Sequence, residues 1–269
     1  MSHPTMRFIG HSTVRLELGG AVVLTDPVLT PRVGPLTRVA QPPSEQDWSG
    51  VDIVLISHLH ADHLHLPSLR LVGSDTRIVV PRGAGPWLRR KGFPLVEEID
   101  VGERITEGNL CITATPAHHS GHRWGPRLTH GPQSPALGHL LESGGIRVYV
   151  AGDTGLFPEM ASLAPVDVAL LPVWGWGWSL GEGHLDPACA SEAVGLLRPS
   201  VAVPVHWGTL AFTGLARMPG PPGSRMRRLL VDPPQEFAAE VAAAGRDTSV
   251  RIAAPGTSVP LDDAVRRPR

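Results

Sequence analysis

Apolar and polar positions alternate from Val14 to Leu18, where Arg15 and Glu17 separate Val14, Leu16 and Leu18. Gly19-Gly20 follows, then the apolar run Ala21-Val22-Val23-Leu24-Thr25. Alternation broken by paired glycines predicts a strand–turn–strand hairpin. Two further hairpins are predicted over 104–115, turning at Glu107-Gly108-Asn109, and over 137–151, turning at Ser143-Gly144-Gly145. Short apolar runs at Val51–Ile56, Arg77–Val80, Val166–Leu171 and Val201–Val205 predict buried strands. Asp186-Pro187 opens a helix, because Asp suits the N-cap and Pro the first helical position, where no N–H is needed. Ala190, Ala193, Val194 and Leu197 give that helix an apolar stripe. A second helix is expected over 235–244 and a last short strand over Val250–Ala253. The Pro- and Gly-rich segments 27–50 and 116–136 read as long loops.

Hairpins in both halves, each followed by strand–helix units, predict an α/β chain with two β-sheets covered by helices. No linker shows a composition shift, so 1–269 is expected to be one domain, with 265–269 a flexible basic tail. A hydrophobic fraction of 42% argues against wholesale disorder. The net charge of −1 argues against a nucleic-acid partner, and Arg225-Met226-Arg227-Arg228 is expected to be a solvated helix face. No stretch approaches the ~20 apolar residues of a membrane span, and residues 1–10 show no export signal. Two cysteines, Cys111 and Cys189, make no disulfide framework, which suits a cytoplasmic protein.

The 13 His against a single Tyr change the picture. His58-Leu59-His60-Ala61-Asp62-His63 follows directly on the Val51–Ile56 strand. A strand end running into a loop turns alternate residues toward one point, and imidazole and carboxylate donors suit Zn²⁺, Fe or Mn²⁺. The competing explanation is a polar surface turn, but the order of residues is far more specific than a His-rich tract.

With this motif the chain resembles the metallo-β-lactamase superfamily. Further segments follow in the superfamily's order: Thr115-Pro116-Ala117-His118-His119-Ser120, Val150-Ala151-Gly152-Asp153-Thr154-Gly155 and Val205-His206-Trp207-Gly208-Thr209. Gly10-His11-Ser12-Thr13, Leu24-Thr25-Asp26-Pro27 and His184-Leu185-Asp186-Pro187 are similar to the branch containing N-acyl-phosphatidylethanolamine phospholipase D and, more distantly, ascorbate-6-phosphate lactonase. The resemblance implies an αββα four-layer sandwich, two mixed sheets with helices on the outer faces. It implies one metal on His58, His60 and His119, a second on Asp62, His63 and His206, and Asp153 bridging; the family's spacing selects His119 over His118. The cofactors would be two divalent ions, zinc first, with manganese or iron as alternatives.

The implied activity is a dinuclear metal-dependent hydrolase, in which a metal-bound hydroxide attacks a small-molecule phosphodiester, ester or lactone. Asp62 would orient the nucleophile or shuttle its proton, and His184 would contact an oxyanion or protonate a leaving group. The alternatives are a metal-binding sensor or scaffold without turnover and a nuclease of the same fold; an association between copies of the chain is also open. His11 and Asp26 are candidates to support ligating imidazoles, against a core histidine and a capping Asp. Arg123 is a candidate for an anionic substrate group, against a solvated arginine. Trp176 and Trp178, with Trp124, Trp174 and Trp207, flank the motifs and either line a pocket or cover the core edge.

Overall fold

The computed structural model describes residues 4–124, 130–178, 180–261 and 264, without the side chains of Trp124 and His130. The expected tail, 265–269, therefore lies outside the described residues. Among these residues the chain forms two seven-stranded mixed sheets. The first runs β19 (Thr257–Pro260), β1 (Thr5–Gly10), β2 (Thr13–Leu18), β3 (Ala21–Thr25), β6 (Ile53–Leu55), β7 (Arg77–Pro81), β8 (Val96–Ile99). Its first four strands are antiparallel neighbours, and β3, β6, β7 and β8 are parallel. The second runs β18 (Ser249–Val250), β16 (Val201–Val205), β15 (Val168–Pro172), β14 (Ile146–Val150), β13 (Leu137–Ser143), β10 (Leu110–Pro116), β9 (Arg104–Glu107). Here β18, β16, β15 and β14 are parallel, and β14, β13, β10 and β9 antiparallel.

The central strands show why an unbroken apolar run marks them. Ile53 and Leu55 point into the core between the sheets, with Phe8, Leu16, Val23, Ile112, Leu141 and Val148. Val54 and Ile56 point the opposite way, toward Leu69 of α1 (Leu66–Val72) and Leu88 of α2 (Gly85–Arg89). A strand covered on both faces has no polar side to show. On the second sheet, α3 (Pro187–Leu197) and α5 (Pro233–Ala243) pack Ala190, Ala193, Val194, Leu197, Phe237 and Val241 into the core. Asp186 caps α3, its carboxylate accepting from Cys189 N at 2.8 Å. Helices outside, two sheets inside: this is the four-layer α/β sandwich the sequence implied.

Three stretches differ from expectation. The 27–50 loop contains β4 (Arg32–Val33) and β5 (Leu36–Arg38), which pair with each other and, through β5, with β17 (Leu210–Phe212). Val28, Val33, Leu36 and Leu210 form their small core, over runs too short to show a period. The 116–136 loop carries a short hairpin, β11 (His122–Trp124) with β12 (His130–Gln133). The expected Val250–Ala253 strand is instead Ser249–Val250, and the chain then crosses to the first sheet, where Thr5 pairs with Pro260. Arg225, Arg227 and Arg228 are exposed on α4 (Gly220–Leu229) as expected, but Met226 between them is buried in the core.

Candidate metal centre

The carboxyl ends of β3, β6, β10, β14 and β16 open at one edge of the sandwich, where parallel strands leave room for a ligand. β3 leads into Asp26, β6 into His58–His63, β10 into His119, β14 into Asp153 and β16 into His206. The β1–β2 connection adds His11. His11, Asp26 and His206 hold positive φ of 57°, 36° and 64°, a costly conformation for side chains with a Cβ. Tertiary contacts hold it in place: His11 N donates to Thr209 Oγ1 at 2.7 Å and His206 N to His11 O at 2.8 Å.

The hydrogen bonds fix which imidazole nitrogen is free. His63 Nδ1 donates to Asp26 Oδ2 at 2.9 Å, His119 Nδ1 to Gly183 O at 2.8 Å, and His206 Nδ1 to Trp174 O. Ser57 Oγ donates to Asp26 Oδ2 at 2.6 Å, so toward His58 Nδ1, 2.9 Å away, it accepts. In each of these four rings, whenever it is neutral, Nε2 therefore carries a lone pair directed inward.

These lone pairs converge. His119 Nε2 is 3.2 Å from His60 Nδ1, His206 Nε2 is 3.3 Å from His63 Nε2, and Asp153 places Oδ2 3.3 Å from His63 Nε2 and Oδ1 3.1 Å from His206 Nε2. His58 Nε2 and Asp153 Oδ1 are buried without a hydrogen-bond partner among the described residues. Two acceptor nitrogens at such a distance repel unless a proton or cation lies between them, and an orphaned buried acceptor is costly. Donor atoms of His58, His60 and His119 lie within 4.8 Å of one another, as do those of His11, Asp62, His63 and His206, of His58, His63 and Asp153, and of His119, Asp153 and His184. The donor set fits divalent cations.

Electrostatics agree. Burial works against the charged forms of Asp62 and Asp153, yet the His11 hydrogen bond and His63 hold Asp62, and His206 and His63 hold Asp153, well below the usual carboxylate range. Burial, reinforced by neighbouring imidazoles, lowers His58, lowers His119, and brings His60 down to about 4 and His206 to about 3. Only His63 goes up: burial opposes its charge, but Asp153 and Asp26 hold it well above 6.5. The cluster thus presents ionised carboxylates and mostly neutral imidazoles, the forms that ligate.

A pH dependence follows. Histidines with lowered folded pKa values bind fewer protons folded than unfolded between about pH 6.5 and 4. Their stability is complete above that window and is lost as pH falls through it; burial adds His65 and His139, both held near 4, to the set. His63 acts in the opposite sense, stabilising below 6.5 and less so as pH rises through its raised pKa. The lowered set outnumbers it. The chelator-treated protein should have a lower urea midpoint at pH 5 than at pH 7; an equal or higher midpoint at pH 5 would contradict this balance.

The remaining candidates fall in different places. Asp26 accepts from Ser57 N, Ser57 Oγ and His63 Nδ1, so it supports ligand residues as well as ending a strand. His11 Nε2 meets Asp62 Oδ2 at 3.1 Å, and Trp176 Nε1 donates to the same oxygen at 2.8 Å. Trp176 also lines, with Gly175, Leu180, Gly181, His184 and His206, a cavity of about 160 Å³ beside the cluster. His184 Nδ1 donates to Gly181 O at 3.2 Å, and its Nε2 lies 3.8 Å from Asp153 Oδ2. Trp178 is exposed and lines a separate cavity. Arg123 reaches backbone carbonyls and a ring. Its Nη1 donates to Leu59 O at 3.0 Å and Leu64 O at 2.7 Å, and its guanidinium lies 4.9 Å above the Trp87 ring. It clamps the backbone of the His58–His63 loop, because those carbonyls have no strand partner and need a donor.

Ser57 and Gly183 were missed in the sequence. Ser57 links Asp26 to His58. Gly183, at φ 79°, presents its carbonyl to His119, and a Cβ there would lie 2.8 Å from His118 O and 3.2 Å from His119 Nδ1. Position directly before the His motif was the available signal for Ser57; for Gly183 the relevant partner is 64 residues distant.

This sandwich with a His/Asp cluster along one edge is of the metallo-β-lactamase class. The chain belongs to the beta-lactamase superfamily, whose domain model matches residues 22–207. It is 31% identical over 262 residues to a UPF0173 metal-dependent hydrolase of Methanopyrus kandleri, covering 93% of this chain and 97% of that one. It is 29% identical over 227 residues to an N-acyl-phosphatidylethanolamine-hydrolyzing phospholipase D of Caenorhabditis elegans, covering 75% of this chain and 63% of that one. The chain spans 64% of the length of the mycobacterial relatives it matches at 33% identity. Among solved structures, Igni18, a metallo hydrolase of Ignicoccus hospitalis, superposes with a TM-score of 0.70 at 26% identity, over 96% of this chain and 98% of that one.

Proposed function

We propose that the chain is a dinuclear metal-dependent hydrolase domain acting on a small-molecule phosphodiester, ester or lactone. The observation that carries this reading is the convergence of two donor groups, His58/His60/His119 and Asp62/His63/His206, with Asp153 inside both neighbourhoods. The first group would hold one divalent ion and the second another, with Asp153 shared. Zinc suits the nitrogen-rich set first, with manganese or iron as alternatives. Bound there, two such ions supply Lewis acidity and make water nucleophilic near neutral pH.

The protein's own groups do the rest. Asp62 Oδ2 is held by Trp176 and His11, which leaves Oδ1 to ligate or to orient the attacking water. His184 donates through Nδ1 to Gly181 O, so its neutral ring accepts a proton at Nε2, and its protonated ring delivers one to a leaving oxygen. Similarity to the worm phospholipase supports a phosphodiester. No helix among the described residues is long and apolar enough to cross a membrane. The thiols of Cys111 and Cys189 are unpaired, which supports a cytoplasmic setting.

The test is metal analysis together with turnover of bis(4-nitrophenyl) phosphate set against a lactone panel. Two metals per chain and turnover on one arm are expected. Full metal occupancy without turnover on either would favour a sensor or scaffold. His184→Ala should keep its metals and lose about 10²–10⁴-fold in kcat; loss of metal instead would make His184 a ligand.

A further inference from the structure

A second cavity lies against the first. Trp176, in the wall of the metal-side cavity, packs edge-on against Phe212 with ring centroids 5.3 Å apart. Phe212 in turn lines a cavity of about 380 Å³ with Trp178, Thr213, Leu215 and Met218. Three of these side chains are unusually exposed for their type: Trp178 at 44%, Phe212 at 40% and Met218 at 46%. Exposed apolar groups gathered at one place mark a binding surface rather than ordinary scatter.

The lining side chains are apolar but for Trp178 Nε1 and Thr213 Oγ1. Thr213 Oγ1 is engaged with Pro35 O at 2.9 Å and with Thr37 Oγ1 at 2.6 Å, on the side of β5. The walls are also held in place. Arg225 Nη2 donates to Trp178 O at 3.0 Å, Arg227 Nη1 donates to Ala216 O at 2.9 Å, and Trp174 Nε1 donates to Gly177 O at 3.2 Å. An apolar cavity set beside the metal-side cavity across the Trp176–Phe212 ring contact selects its occupant mainly by burial.

We propose that the Trp178/Phe212/Leu215/Met218 cavity is the subsite for an apolar alkyl arm of the substrate, whose scissile group sits in the His184/His206 cavity. The substrate is then an amphiphile, polar at the reacting centre and apolar beyond Trp176. This rests on the hydrolase reading above.

The experiment uses the metal-loaded protein and two ladders below their micelle concentrations: methyl-to-octyl 4-nitrophenyl phosphodiesters, and 4-nitrophenyl alkanoates of the same lengths. For whichever series turns over, kcat/KM should rise about 3–4-fold per methylene, the factor for about 0.8 kcal/mol of buried CH₂, until the cavity is full. Leu215→Ser with Met218→Ser should collapse the octyl-to-methyl ratio to within about threefold; because the ratio is read within one protein, a general loss of fold does not imitate it. A flat wild-type ladder with clear turnover of the methyl members overturns the subsite and leaves the hydrolase reading intact. No turnover of either series overturns both. A flat ladder with phosphatidylglycerol vesicle binding, or with self-association, that the double variant abolishes would assign this face to a membrane or to a second copy of the chain, and would likewise overturn the arm.

Discussion

Asp153→Ala should leave a folded protein that holds one metal or none and has lost more than about 100-fold in turnover. Both oxygens of Asp153 are committed to the cluster: Oδ2 approaches His63 and His184, and Oδ1 approaches His206 without forming a hydrogen bond. A carboxylate is the donor here that can span two ions, and Asp153 lies within ligating reach of His58 and His63 as well as of His119 and His184. Loss of a residue that merely orients a ligand typically costs about 10–100-fold, so loss of a shared ligand should exceed that. The substitution also withdraws the largest influence raising His63, making that ring less apt to carry a proton in the metal-free protein. Metal content by mass spectrometry, read with circular dichroism and kcat, checks the assignment. Two tightly held metals and activity within threefold of wild type would refute it.

How much of this was legible in the chain depends on how local each signal is. The β2–β3 hairpin and the α3 cap are written in neighbouring residues and could be read directly. So could His58-x-His60-x-Asp62-His63, because one strand end delivers all four side chains. By contrast β4, β5 and β17 are two or three residues long, and their pairing joins segments near residues 37 and 211. Strand β19 pairs with the opposite end of the chain. The support of the site is hidden for the same reason. Gly183 and Trp174 contribute carbonyls, which any residue possesses, and only the fold brings them to His119 and His206. Arg123 shows the converse: its position after His119 suggested an anion contact, whereas the structure shows its Nη1 donating to carbonyls of Leu59 and Leu64, a contact no local pattern announces.

Asp26→Asn is nearly isosteric, yet it should weaken one of the two proposed metal sites and lower turnover by about 100-fold, the upper end of the range for losing a partner that orients a ligating histidine. Asp26 is buried and accepts three hydrogen bonds, from Ser57 N at 2.8 Å, Ser57 Oγ at 2.6 Å and His63 Nδ1 at 2.9 Å. An amide has one accepting oxygen. If it keeps Ser57 N, its NH₂ group faces His63 Nδ1 and Ser57 Oγ, both of which are donors in the native arrangement. The nearest resolution turns His63 into the other tautomer, with Nδ1 accepting and the proton on Nε2. That proton then points at His206 Nε2 and Asp153 Oδ2, 3.3 Å away in each case, and Nε2 ceases to be a ligand. The hydroxyl of Ser57 is redirected as well, which disturbs the partner that sets His58. Structure at the level of strands should be unchanged, because Asp26 N still donates to Leu55 O at 2.9 Å. The variant therefore separates tautomer control from simple burial: Asp26→Asn with both metals retained and activity within threefold of wild type would show that His63 does not need its carboxylate, whereas selective loss of the metal held by Asp62, His63 and His206 would show that Asp26 sets the coordinating nitrogen.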